Sequence, residues 1–185
     1  MSSLTVKKAR LIVRNATFDD IPDIIALSSR VYPSMPIYTK KIIKSQIDVF
    51  QDGQFVAIFD NHIIGYSSSI RILGETALQP HSWDEITNQG SGSTHNPCGD
   101  YLYGMETFVD ETYRDHHIGQ RIYNIRKKLC IRLRLKGIIT GGRLPHLAET
   151  IAEARTPEHY VEMVETGKIK DHTLLFQLRN GFQVC

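Results

Sequence analysis

Two features of this chain could do chemistry. A polar stretch, Asp110 to His117, leads straight into a helical pattern that begins at Ile118. The first N–H groups of a helix have no intrahelical partner, and the helix dipole adds partial positive charge there. Such an end can hold phosphate oxygens through backbone donors alone, and Gly119 would let a pyrophosphate approach His116, His117, Ile118 and Gln120 closely. Spacing alone fits a plain strand-to-helix turn at least as well. The second feature is Glu106, the only carboxylate within the strand-like run Tyr101 to Val109. It can accept a proton as a general base, directly or through water. It reads equally as an exposed strand carboxylate, since such groups are common. The pair His95 and Cys98 has metal-like spacing but makes only half a site, so no metal is expected.

The composition allows an ordinary folded domain. Of the 185 residues, 41% are hydrophobic and 23% charged, and the formal net charge is +2. That length suits one domain, 1–185, and the near-neutral balance argues against a dedicated nucleic-acid partner. Charge is uneven, however: Arg114, Arg121, Arg126, Lys127, Lys128, Arg132, Arg134, Lys136 and Arg143 are accompanied by one acid, Asp115. A solvated helix face is the default reading of that run. Cys98, Cys130 and Cys185 give no disulfide framework. The apolar run Leu11-Ile12-Val13 is too short for a signal peptide, and no stretch reaches the length of a membrane span. A reducing, cytoplasmic setting is expected.

The elements that must position these groups follow from pattern. Arg10 to Arg14 reads as a strand. Thr17 opens a helix with Asp20 in capping-box position, carrying Ile21, Ile24 and Ile25 until Pro33 and Pro36. Thr39 caps a second helix with Ile42, Ile43, Ile47 and Phe50 on one face. Gln54 to Phe59 and His62 to Ile72 read as a hairpin around Asp60-Asn61. Gly74 to Asp100 reads as a long loop or insertion. Then come strand Tyr101 to Val109, a helix from Ile118 ended by Gly137, and strand Ile138 to Thr140, a parallel crossover unit. Pro145 to Asp171 is largely helical, with Thr156-Pro157 as a start signal, and Asp171 caps a last helix that stops at Asn180-Gly181. Phe182 to Val184 looks like a strand beginning.

Arg114-Asp115-His116-His117-Ile118-Gly119 resembles the acetyl-CoA signature of the GNAT superfamily, Arg/Gln-x-x-Gly-x-Gly/Ala. Asn180-Gly181-Phe182 is similar to the end of that superfamily's last helix. A narrower likeness rests on Trp83-Asp84-Glu85-Ile86-Thr87, His95 to Asp100, Leu102-Tyr103-Gly104, Arg121 to Cys130 and Gly141 to Pro145. This set resembles the GNAT domain at the N-terminus of proteins that continue into a nitrilase-type carbon–nitrogen hydrolase. The resemblance implies an α/β (α+β) fold with a mixed, mostly antiparallel central sheet flanked by helices, lacking its last strand or strands here. It implies acetyl-CoA as cosubstrate, bound by Arg114, Asp115, His116, His117, Ile118, Gly119 and Gln120. The backbone N–H groups of Phe108 or Val109 would face the thioester arm, and Glu106 would serve as base. Implied partners are a small-molecule or peptide amine and a fused carbon–nitrogen hydrolase domain, with no membrane and no nucleic acid.

Two departures stand out. His117 replaces the first signature glycine, which puts a Cβ where backbone meets phosphate. Gln177 stands where many GNAT enzymes carry a tyrosine that protonates the leaving thiolate, and a glutamine is no acid. Two readings therefore stand: acetyl transfer to a primary amine, or a CoA-binding sensor or accessory domain without transfer that serves the hydrolase.

Overall fold

The computed structural model describes residues 11–34, 38–144 and 146–184. Arg10, Pro36, Pro145 and Cys185 lie outside the described residues, as do the side chains of Arg114 and Asp115. The chain forms two compact units, Met1–Thr140 and Gly141–Cys185.

The first unit is a five-stranded sheet in the order β1-β2-β3-β4-β5. Strand β1 is Leu11–Asn15, β2 Phe55–Phe59, β3 His62–Ile72, β4 Tyr101–Val109 and β5 Gly137–Thr140. The first four pair antiparallel, and β5 joins β4 in parallel. The mixed, mostly antiparallel sheet expected from the sequence is therefore present. The β2–β3 hairpin turns on Asp60 and Asn61, both at positive φ (50° and 66°). That is the two-residue geometry whose twist matches paired strands, and Asp and Asn tolerate it better than most residues.

Helices cover both faces of the sheet. Thr17 and Asp20 form a capping box around a short 3-10 turn that continues into α1, Ile21–Val31. Thr39 caps α2, Lys40–Phe50, by accepting from the Ile42 amide at 3.3 Å. Ile24, Leu27, Ile43 and Ile47 pack with Val56, Tyr66 and Phe108 of the sheet. On the opposite face α5, Ile118–Leu133, sets Ile118 and Ile122 on Ala57 and Ile64, and Leu129 and Cys130 on Phe55 and Leu102. Each fully buried aliphatic side chain contributes roughly 1.5–3 kcal/mol by leaving water.

Three expectations are corrected. Gly74 to Asp100 is not a structureless loop. It holds α3, Gly74–Ala77, and α4, Trp83–Thr87, and places Ala77 and Ile86 against Ile70, Ile72, Tyr103 and Met105. Gly137 does not end α5. The helix stops at Leu133 because Arg134 takes left-handed geometry (φ 53°), and Gly137 instead opens β5. Residues 182–184 form no strand. A strand needs a neighbour to share its ladder bonds, and none pairs with them among the described residues.

The second unit packs α6, Leu147–Ala154, α7, Pro157–Glu165, and α8, His172–Arg179, around Ala154, Tyr160, Met163, Val164 and Leu174. Thr156 and Pro157 start α7 as read from the sequence, and the Thr156 side chain accepts from the His159 amide. Gly167 (φ 77°) ends that helix, with the Lys168 amide donating back to Met163. Asp171 caps α8 through the Thr173 and Leu174 amides, each at 2.9 Å, and also accepts from the Tyr160 hydroxyl at 2.7 Å.

Candidate active site

The candidate site is built on β4. Its pairing with β3 shifts between Ser68 and Ser69, so that Ser68 faces Glu106 and Ser69 faces Gly104. Met105 is the extra residue of a β-bulge, and a bulge bends the strand and re-aims its side chains. Met105 packs with Ile70 and Tyr103, while the next residue, Glu106, reaches Tyr32 and Tyr38. Two successive residues thus serve one face, which regular alternation would forbid.

Hydrogen bonds from Tyr32, Tyr38 and Thr107 hold the Glu106 carboxylate. Oε1 accepts from the Tyr32 hydroxyl at 3.3 Å and from the Thr107 amide at 3.0 Å. Oε2 accepts from the Tyr38 hydroxyl at 3.3 Å. Both tyrosine rings rest on Phe108, Tyr32 edge-on at 5.7 Å and Tyr38 stacked at 5.9 Å. Burial, reinforced by the Glu106 charge, pushes the Tyr38 hydroxyl well above the ordinary tyrosine range. Neither tyrosine is marked by the sequence patterns above. The available signal is position: Tyr32 ends the first helix and Tyr38 precedes the second.

The backbone direction of β4 separates Phe108 from Val109. The Asp110 amide bonds the Ile64 carbonyl at 2.8 Å, and antiparallel pairs alternate. The Phe108 amide therefore faces β3, and its ring is buried in the core. That corrects Phe108 as a thioester donor. The Thr107 and Val109 amides turn to the other edge, where the β5 register ends at Gly104–Thr140. Glu106 takes the Thr107 amide, which leaves Val109 as the edge donor suited to a carbonyl.

Beyond β4, the backbone of Glu111–His116 makes 3-10 turns, with the Asp110 side chain accepting from the Thr112 amide. His117 then takes left-handed geometry (φ 54°, ψ 30°) as the N-cap of α5. A right-handed residue followed by a left-handed one turns successive amides into a concavity for anions. No side chain caps α5 at His117, and the ring of His117 is exposed. Histidine is among the residues that tolerate this region, where glycine is the default. The backbone from His116 through Ile118 and Gly119 to Gln120 thus has the form of an anion cradle. Arg114 and Asp115 contribute backbone to the turn, while their side chains lie outside the described residues.

Arg126 links this helix to the site. It is 1% exposed, yet bonds the Ser68 carbonyl (2.7 Å), the Glu106 carbonyl (3.3 Å) and the Ser69 hydroxyl (3.1 Å) around the bulge. Gly104 makes room, since a Cβ there would stand 3.2 Å from both terminal nitrogens. Burial depresses the Arg126 pKa, opposed by Tyr123 and Glu106 nearby.

Other candidate residues have different roles. His95 accepts from the Arg71 amide at 3.0 Å and stacks on Phe50 at 4.5 Å. Among the described residues no group of three potential metal ligands occurs. Arg132 pairs with Asp52 and Lys136 with Asp100, so part of the basic run is engaged in ion pairs. Cys130 is buried, and burial raises its thiol to about 11. Gln177 lies in the second unit, in the last turn of α8, with its side-chain oxygen close to Gly142. A cavity of about 610 Å³ beside the insertion is lined by Ile72, Glu75, His81 and Glu85 among others, and by none of the candidate residues. No described helix is long and apolar enough to cross a membrane.

The mixed, mostly antiparallel five-stranded sheet flanked by helices is the GNAT architecture. No family model matches the chain. It is 40% identical over 179 residues to a probable hydrolase, YhcX, of Bacillus subtilis, covering 97% of this chain and 35% of that protein. The chain therefore spans about a third of that relative. It is 31% identical over 175 residues to an uncharacterized N-acetyltransferase, YkwB, of the same organism, covering 92% of this chain and 77% of the relative. In fold it is similar to the GphF GNAT-like decarboxylase, solved with isobutyryl-CoA, at a TM-score of 0.75 and 20% identity, covering 91% of this chain and 84% of that one. The chain belongs to the GNAT N-acetyltransferase family.

Proposed function

We propose that this chain is an acyl-CoA-dependent N-acyltransferase that moves acetyl from acetyl-CoA to a primary amine. It acts as one GNAT domain, 1–185, in the cytoplasm, as the leading part of a protein that continues into a carbon–nitrogen hydrolase. YkwB supports the transferase reading, and partial coverage of YhcX supports the fusion. The CoA-bound GphF structure supports a CoA-type donor.

The observation that carries the reading is Glu106 held at the edge of β4 by Tyr32, Tyr38 and the Thr107 amide, three residues before Val109. The pyrophosphate lies on the His116–Gln120 backbone, and the Val109 amide polarises the thioester carbonyl. An arriving ammonium gives one proton to Glu106 and becomes a nucleophile. Its nitrogen bonds to the carbonyl carbon, the C–S bond breaks, and the nitrogen loses a second proton. The CoA thiolate gains one proton from water. The sum is an amide, CoA thiol and one proton released to solvent.

Calorimetry with acetyl-CoA followed by a thiol-release screen over amines tests this. Binding and release are expected, with Glu106→Gln lowering turnover by about 10²–10⁴-fold and removing the acidic limb of the pH–rate profile. Binding without release against every amine would leave the sensor reading in its place.

A further inference from the structure

We propose that Arg126 and Trp83 are positioning residues for Glu106: from opposite faces of the sheet they clamp the β4 bulge and so fix where the carboxylate stands. Their effect on rate rests on the transferase reading; their effect on the strand does not.

A bulge interrupts the ladder between two strands, and backbone groups freed in this way must find other partners. Side chains supply them here. The Met105 carbonyl accepts from the Trp83 indole N–H at 2.9 Å. The Glu106 and Ser68 carbonyls accept from one terminal nitrogen of Arg126 at 3.3 and 2.7 Å. Nε of the same guanidinium donates to the Ser69 hydroxyl at 3.1 Å. Both residues of the bulged strand, and the two β3 residues at the slip, are thus held by donors from α4 and α5. Helix α4 packs on the face that carries Met105, and α5 packs on the other.

Neither residue is mere filling. Arg126 is buried, and among the described residues it pairs with no carboxylate. An apolar side chain would fill that space at lower cost, since burying a charge without a counter-ion is expensive. The guanidinium lies over the Tyr123 ring at 5.4 Å, which offsets part of that cost. Trp83 is 39% exposed, yet its ring is closely seated. At Gly90 (φ 78°) a Cβ would stand 2.7 Å from it. The Gly90 carbonyl accepts from the Gln46 side chain at 2.7 Å, and Gln46 accepts from the Tyr66 hydroxyl at 2.6 Å. The indole is therefore seated through α2 and β3.

A released bulge would relax towards regular alternation, which places Met105 and Glu106 on opposite faces. A reacting group displaced by about 1 Å can lose about 10²-fold in rate.

Trp83→Phe keeps a ring and removes the donor to Met105, while Arg126→Lys removes part of the other clamp. Amide exchange in isotope-labelled protein reads the strand without turnover, at Thr107, whose amide donates to Glu106. Exchange there should rise at least about tenfold in Trp83→Phe, while Val13 and Ala57 of the β1–β2 pair keep the parental rate. The kcat for amide formation should fall about tenfold, with acetyl-CoA affinity by calorimetry within about twofold of the parent. In a Glu106→Gln background Trp83→Phe and Arg126→Lys should cost no further rate, because a residue acting through the base has nothing left to position. Parental Thr107 exchange in both variants, or the same loss of rate with and without Glu106, overturns the clamp. Faster Thr107 exchange in a protein that acetylates no amine sinks the transferase reading and leaves the clamp standing. Transfer with unchanged exchange does the reverse.

Discussion

The guanidinium of Arg126 lies 2.7 Å from the carbonyl oxygen of Ser68, across the sheet from the face that carries Glu106. The arginine belongs to α5, whose first turn is the candidate phosphate cradle, and the serine belongs to the bulged register that aims Glu106. One buried side chain therefore ties both halves of the site to the same stretch of β4. Its charge is out of water, and the carbonyls of Ser68 and Glu106 depend on it for hydrogen bonds.

Removing that guanidinium leaves buried carbonyl groups with lost partners. Arg126→Met is expected to destabilise the fold by about 2–4 kcal/mol, measured as a lower urea midpoint. Arg126→Lys should recover part of the loss, because an ammonium can still donate to the Ser68 carbonyl.

His117 pays for its positive φ with side-chain crowding that glycine avoids. His117→Gly is expected to raise stability by about 0.5–1 kcal/mol while preserving acetyl-CoA binding. His117→Val, β-branched at φ > 0, should lose about 1–2 kcal/mol. Thermal unfolding of the three proteins orders them Gly above His above Val if the left-handed cap is real.

Gly119 lies in the first turn of α5, beside the cradle. Gly119→Glu adds bulk and negative charge where the pyrophosphate should lie, so acetyl-CoA affinity should fall at least tenfold, an effect of about 1.4 kcal/mol or more. Calorimetry showing parental affinity would remove His116–Gln120 from the site.

Asp20 meets Arg14 in a two-pronged ion pair at 2.6 and 2.7 Å and closes the capping box with Thr17. Burial raises its pKa, but Arg14 and the Thr17 donors outweigh that and leave it below the usual carboxylate range. A depressed folded-state pKa means stability that is present above the unfolded value near 4 and lost as pH falls through the folded value. Arg14 is 42% exposed, so solvent screens the pair. Asp20→Asn should cost about 1–2 kcal/mol at neutral pH, with the gap narrowing once denaturation is measured below about pH 4.

Much of the architecture was legible because it is written locally. Thr39, Thr156 and Asp171 start their helices by side-chain bonds to amides two or three residues on, the Asp20 carboxylate accepts from the amide and hydroxyl of Thr17, and Asp60-Asn61 bends its own hairpin. The strand-to-helix passage from Val109 to Ile118 and the placement of Glu106 on a strand rest on the same short-range periodicity. The end of α5 did not, because a left-handed Arg134 stops the helix where sequence points to Gly137. Nor did the insertion, whose short helices hold only by setting Ala77 and Ile86 on the sheet.

The candidate site's chemistry was decided in three dimensions. The amino-acid sequence alone determines that Glu106 is available and that an unpaired helix end follows β4. It does not determine that Tyr32, 74 positions away, and Tyr38, 68 away, donate to that carboxylate. It does not place Arg126 under the bulge, 58 positions from Ser68. A bulge is a slip of register between two strands, visible only once both are paired. Which edge amide faces outward, and which of two adjacent side chains reaches the tyrosines, follow from that slip, because strand alternation fixes direction only after register is set.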